Sequence, residues 1–127
     1  MKLNPDCMRD ILMFAENIEY GTQATLSDMC DSLNYTAEEI NYTTKKLDEA
    51  GLIDVSFVYN LGNPVATLAR LNDLTYDGHK VLADIRNEKI WESTKSAANE
   101  IGVNSIQALT QIATGVVTQI ITKHIGY

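Results

Sequence analysis

The chain has 127 residues and a formal net charge of −7, with 17 Asp and Glu against 10 Lys and Arg. That length suffices for one compact domain with a real core and excludes a large multi-step enzyme. The acidity repels phosphates at long range, so nucleic-acid binding needs a local basic patch, and no run of Lys and Arg supplies one.

Charge is unevenly spread: residues 1–92 hold eight basic and 16 acidic residues, whereas residues 93–127 hold two and one. Cys7 and Cys30 form no C-x-x-C pair and each falls in an apolar helical stripe, which fits a reducing cytoplasm. No basic segment followed by an apolar stretch opens the chain, so neither a signal peptide nor an N-terminal anchor is expected. The Asn-Tyr-Thr triplets at Asn34 and Asn41 are then chance matches to a glycosylation signal.

The first helix is announced by Asn4 as cap, Pro5 at the first helical position and Asp6 at the positive end of the dipole. Met8, Ile11, Leu12, Ala15 and Ile18 follow the spacing of one buried face, so the helix is expected to run to about Glu19, before Gly21. A short helix is expected from Ser27, burying Met29 or Cys30 and Leu33. Thr36 and Glu39 read as a reciprocal capping box, opening a helix over residues 36–50 that turns Ile40, Thr43 or Thr44, Leu47 and Ala50 inward and closes at Gly51. Two short helices joined this way make a helix-turn-helix.

Alternation from Ile53 to Leu61 predicts a half-buried strand, Gly62, Asn63 and Pro64 a turn, and residues 65–71 the returning strand. Thr75 caps a helix with Gly78, Val81, Leu82 and Ile85 on its face. The apolar phase then slips to Ile90, Trp91, Thr94, Ala97, Ala98 and Ile101, predicting a kink or a fresh helix near Asn87. After a turn at Gly102 and Asn104, a last helix over residues 105–123 shows Ile106, Leu109, Ala113, Val116 and Ile120 at the spacing of a coiled-coil seam, flanked by Ala108, Ile112, Val117 and Ile121.

The fold expected from this order is mostly α with a small β-hairpin: a winged helix-turn-helix core over residues 1–86 and a C-terminal helical oligomerisation segment over residues 87–127. The opening M-K-L-N-P-D-C-M-R-D-I-L and the later L-T-Y-D-G-H-K-V-L-A-D-I-R, with Trp91 and Lys95, resemble domain-of-unknown-function family 2513, an uncharacterised family of small bacterial and phage-borne proteins. The resemblance rests on Asn4, Asp6, Cys7, Arg9 and Asp10 at one end and on Leu74, Thr75, Gly78, His79, Leu82, Asp84, Ile85, Arg86 and Trp91 at the other. Val81 stands where an aromatic residue is expected. The resemblance implies a cytoplasmic setting, often on mobile elements, and carries no catalytic residues.

A winged helix usually reads DNA with its second helix, and the outward candidates here are Asn41, Tyr42, Lys45 and Lys46, with Arg70 on the hairpin as a phosphate contact. Against that reading stand Glu38 and Glu39 in the helix's first turn and a wing tip without positive charge. The competing reading uses the same face for a protein partner, with Tyr42 as anchor. His79 with Cys7 as a thiol dyad is the remote third reading, and a packed or surface histidine is the simpler one. Arg9, Asp10, Asp84 and Arg86 are expected to form an ion-pair network where the first and fourth helices meet. Histidines and cysteines lack metal-ligand spacing and no glycine-rich loop follows a strand, so no metal or cofactor is expected.

Residues 101–122 contain no charged residue, but Asn, Gln, Ser and Thr interrupt them throughout, which argues against a membrane span; the absence of Lys and Arg argues against a membrane-surface helix. What remains is a helix with two apolar stripes, one able to cover its own domain while the other meets a second chain; homo-oligomer formation through the seam Ile106, Leu109, Ala113, Val116 and Ile120 is favoured over purely intramolecular packing. The chain therefore reads as a non-enzymatic winged-helix regulator, binding double-stranded DNA as a homo-oligomer or, alternatively, docking a protein partner without DNA.

Overall fold

The computed structural model describes residues 1–126. Its elements run α1 (Pro5–Glu16), α2 (Leu26–Ser32), α3 (Ala37–Glu49), β1 (Ile53–Val58), β2 (Thr67–Leu74), α4 (Tyr76–Ile85), α5 (Glu88–Ile101) and α6 (Ile106–His124). The architecture is mostly α with one antiparallel two-stranded hairpin, in the order read from the sequence. No helix of the described residues is long and apolar enough to cross a membrane.

Asn4 caps α1 by accepting from the amides of Asp6 and Cys7 at 3.0 and 3.3 Å. Cys7, Met8, Ile11, Leu12 and Ala15 form its buried stripe. The helix stops at Glu16, short of Glu19, because the Asn17 amide reaches back only three residues, to the Phe14 carbonyl, and closes the last turn.

The reciprocal capping box lies one helix earlier than expected. Thr25 accepts from the Asp28 amide at 3.2 Å while the Asp28 carboxylate accepts from the Thr25 amide at 2.9 Å, so α2 begins at Leu26 and not at Ser27. Met29 is its buried residue, with Cys30 half-buried. At α3 only half the box forms: Thr36 accepts from the Glu39 amide at 3.1 Å, but the Glu39 carboxylate turns to the Asn4 side-chain amide at 2.8 Å. That bond ties the start of α3 to the start of α1. Both Thr43 and Thr44 are buried with Ile40 and Leu47, whereas Ala50, at the end of the helix, is exposed.

Register pairs Ile53 with Leu74, Val55 with Leu71, Ser56 with Arg70 and Phe57 with Leu68, with irregularities after Asp54 and Ser56. Strand β1 ends at Val58 although the alternation continues to Leu61, because Tyr59 and Leu61 project past the core into solvent. Between the α1 and α2 helices, Ala24 exchanges two backbone hydrogen bonds with Leu71, at 2.8 and 2.9 Å, adding a one-residue third strand beside β2.

Thr75 caps α4 by accepting from the Gly78 amide at 3.0 Å and donates to the Gly51 carbonyl at 2.6 Å. The predicted face of Gly78, Val81, Leu82 and Ile85 is buried. A fresh helix begins at Asn87, whose side chain caps α5, and Gly102 ends it in the left-handed conformation at φ 83°. Trp91, Thr94 and Ala98 are buried, but Ile101 is exposed because the chain turns away at Gly102 before any element covers it. Buried residues form one continuous cluster that includes Trp91, Ala98, Leu109 and Ala113 together with the α1, α3, hairpin and α4 residues. The last two helices thus share the core of the first 86 residues.

Candidate functional site

The outward side of α3 and the neighbouring hairpin form the candidate interaction face. Its first expected reader, Asn41, is already committed: its amide donates to the Ala66 carbonyl at 2.9 Å and its carbonyl accepts from the Leu68 amide at 2.7 Å. Both polar atoms are used to moor β2 to α3, so the adenine-reading role expected of Asn41 is replaced by a structural one. Lys45 lies over the Phe57 ring, 4.8 Å from its centroid. Lys46 pairs with Glu49 at 3.0 Å and stands 5.5 Å from the Tyr42 ring centroid. Arg70 pairs with exposed Ser56 across the hairpin, between inward Leu68 and Leu71, and so points away from α3. The structure therefore brings Tyr42, Lys45 and Lys46 together but leaves Arg70 on the other side of the sheet.

What occupies the face is largely apolar. A depression of about 290 Å³ opens between α3 and the hairpin, lined by Met1, Glu38, Tyr42, Lys45, Val65 and Ala66. Tyr42 also walls a second one, of about 360 Å³, with Leu3, Lys46 and Ile106. Beside them the hairpin tip exposes Tyr59, Leu61 and Val65, with Leu61 entirely in solvent. No charged residue occurs from Phe57 to Ala69. These tip residues were missed as a site in the sequence, where their alternation reads as strand; the absence of charge across the turn was the available signal.

The remaining motif residues meet at the junction of α1, α4 and α5. Asp6 accepts from the Trp91 indole and from Lys95, both at 2.9 Å. Burial raises the Asp6 pKa, but the bonds from Trp91 and Lys95 outweigh it and leave the carboxyl below its ordinary value. The four-charge network expected here is not the one formed. Arg9 instead donates to the Ile85 and Arg86 carbonyls at 2.9 and 2.7 Å, closing the end of α4, and reaches Glu88 at 3.3 Å. Arg86 forks onto Glu16, Asp10 accepts from the Tyr35 hydroxyl at 2.7 Å, and Asp84 from Thr114 at 3.3 Å. The unpaired carbonyl groups at the end of α4 hold the Arg9 guanidinium, and Asp10 and Asp84 go to other partners.

Cys7 is fully buried, and burial pushes its thiol up to about 11, the opposite of an activated nucleophile. His79 is exposed on α4, on the side of Glu16. In α6, Leu109 and Ala113 are fully buried within the chain and Ile106 and Val116 are half-buried. Four of the five seam residues are thus wholly or partly covered by the chain itself; only Ile120 is largely free.

The fold and face define a small helical protein whose hairpin is moored to an outward helix. The chain belongs to the family described as "Hypothetical protein (DUF2513)", whose profile matches residues 2–104. An "Uncharacterized protein" of Haemophilus influenzae is 32% identical over 122 residues, covering 95% of this chain and 99% of that relative. No solved structure matches.

Proposed function

We propose that this is a non-enzymatic regulatory protein with a winged helix-turn-helix body that acts by docking a protein partner on the α3 and hairpin face. In this reading α2 and α3 are the helix-turn-helix, the hairpin is the wing, and the pairing of Ala24 with Leu71 is the short third strand of the wing's sheet.

The observation that carries the reading is the uncharged hairpin tip, exposing Tyr59, Leu61 and Val65 beside Tyr42. A wing that grips DNA needs Lys or Arg against phosphates. A contiguous apolar tip next to an aromatic wall suits a partner that inserts an apolar side chain and presents a base toward Glu38. The DNA reading keeps only Lys45 and Lys46 on this face, one lying over Phe57 and the other paired with Glu49.

Two assays on one preparation separate the readings. Capture from a host extract should fall at least tenfold for Leu61→Asp and for Tyr42→Ala and persist for Arg70→Glu, while a random duplex library at low salt is not retained above a control protein. An enriched duplex motif whose retention disappears with Lys45→Glu plus Lys46→Glu would replace this reading with a DNA-binding regulator.

A further inference from the structure

The residues ahead of α1 lie on the α3 face itself. Tyr42 stands between two depressions, and residues 1–3 supply a wall to each. Met1 lines the one against the hairpin, with Glu38 and Val65, and Leu3 the one against α6, with Lys46 and Ile106. Lys2 lines neither and is exposed. That is the pattern of an extended segment, which turns residues two apart to one side and the residue between them to the other. The segment is held unequally along its length. Asn4 is fixed, since it caps α1 and its side-chain amide donates to Glu39 at 2.8 Å. Ahead of it, Met1, Lys2 and Leu3 make no backbone hydrogen bond and no ion pair among the described residues. Leu3 is half-buried against the core and Met1 stays 68% exposed. Apolar contact alone therefore seats residues 1–3, beyond a fixed hinge at Asn4.

We propose that residues 1–3 are a strap that covers part of the docking face and gives way to an extended partner segment of the same pattern: apolar, basic, apolar. This rests on the docking reading of the face and adds its regulation and the chemistry of its occupant. The strap itself selects that chemistry, because its two apolar side chains already line the depressions on either side of Tyr42. Glu38, exposed on the rim, has no ion-pair partner among the described residues and suits a base on the incoming segment. A strap that starts at its own site is held there at an effective concentration of about millimolar or above. A partner displaces it by adding contacts the strap lacks, which exposed Leu61 and Tyr59 on the hairpin tip offer.

The amidated tetrapeptide Met-Lys-Leu-Asn, added to the ¹⁵N-labelled full chain and followed by NMR, tests this. Leu3→Ser removes the strap's anchor and leaves the Asn4 cap, so helical circular dichroism should be unchanged. That variant should bind the peptide roughly threefold or more tightly than the parent, with amide shifts centred on Tyr42, Lys45 and Val65, and should lose it when Tyr42→Ala is added. In the parent, saturating peptide should displace the strap, so that the heteronuclear NOE of Lys2 and Leu3 falls while that of α1 is kept. The proposal is overturned by a peptide that binds neither chain, by equal affinity for both, by shifts away from α3, or by a strap that stays ordered in saturated parent. It is equally overturned if a peptide with serine at both apolar positions binds as well. Capture from a host extract keeps the two readings apart. Leu3→Ser should raise it, and a fall would make the strap part of the partner's seat and overturn the gating. Capture indifferent to Leu61→Asp and Tyr42→Ala would instead fail the docking reading, with the strap still decided by the peptide.

Discussion

Gly78→Ala sets two well-understood effects against each other. In the interior of a helix, Ala is favoured over Gly by about 1 kcal/mol, so propensity alone predicts a more stable protein. At this position a Cβ would stand 2.0 Å from the Leu52 carbonyl oxygen, 3.0 Å from its carbon and 3.3 Å from Leu74 Cδ2. The nearest atom is backbone, and it is pinned: the Leu52 carbonyl accepts from the Thr75 amide at 3.1 Å, while Thr75 also bonds the Gly51 carbonyl and caps α4. Relief of the overlap therefore means moving the cap, the entry to β1 and α4 relative to one another. Overpacking of a fixed core typically costs about 1–3 kcal/mol, and an overlap with immobile backbone belongs at or above the upper end. The net expectation is a loss of roughly 2–3 kcal/mol, a large share of the ~5–15 kcal/mol that holds a domain folded. Urea denaturation followed by circular dichroism measures it, with Gly115→Ala as the internal control. A Cβ at Gly115 meets nothing within 4 Å, so that variant should gain about 0.5–1 kcal/mol from propensity alone. A Gly78→Ala protein as stable as the parent would refute the claim that close approach of α4 to Leu52 is what demands glycine here.

Arg9→Lys should cost about 1.5–3 kcal/mol in the same denaturation assay, because an ammonium cannot replace a fork that spans the Ile85 and Arg86 carbonyls; parent-like stability would remove the cap role. Acidification tests the carboxylates at the helix junction, where Asp6 and Glu16 are both held below their ordinary values, Glu16 by the hydrogen bond from Arg86. A depressed carboxylate contributes stability that is complete above its unfolded pKa, near 4, and is lost as pH falls through the folded value. The parent should therefore lose stability more steeply than Asp6→Asn between about pH 4 and pH 2, and superimposable acid limbs would show that the Asp6 charge contributes nothing.

Helix and strand order was legible because each element carries local punctuation: Asn4 with Pro5, Thr36, Gly51, Thr75 and Asn87 all act at the ends where they were read. Side-chain commitments were less legible, since they depend on distant partners. Glu39 has the spacing of a capping box but meets Asn4, 35 residues away, and Asn41 has the outward position of a base reader but meets the hairpin. The α6 seam was legible as apolar, but not which stripe its own chain covers, because periodicity reports that a face will be buried without saying by which chain. Family membership came through the two terminal motifs, whose residues prove to be one another's contacts: Asp6 with Trp91 and Lys95, and Arg9 with the end of α4.

Those contacts span 85 and 89 residues for Asp6 and 76 and 77 for Arg9. A chain emerging from the ribosome presents α1 well before α5, so Glu39 of α3 can join Asn4 early, whereas the bonds from Trp91 and Lys95 to Asp6 wait until α5 has been made. Helix α1 gains α3, β2 and α4 as neighbours before then, so the late bonds close only the start of the helix, across a long loop that folding must close. The helices after residue 86 are in this sense the closing step of synthesis and not an accessory to a finished body. A truncation at that point should yield a chain whose first helix has lost its latch.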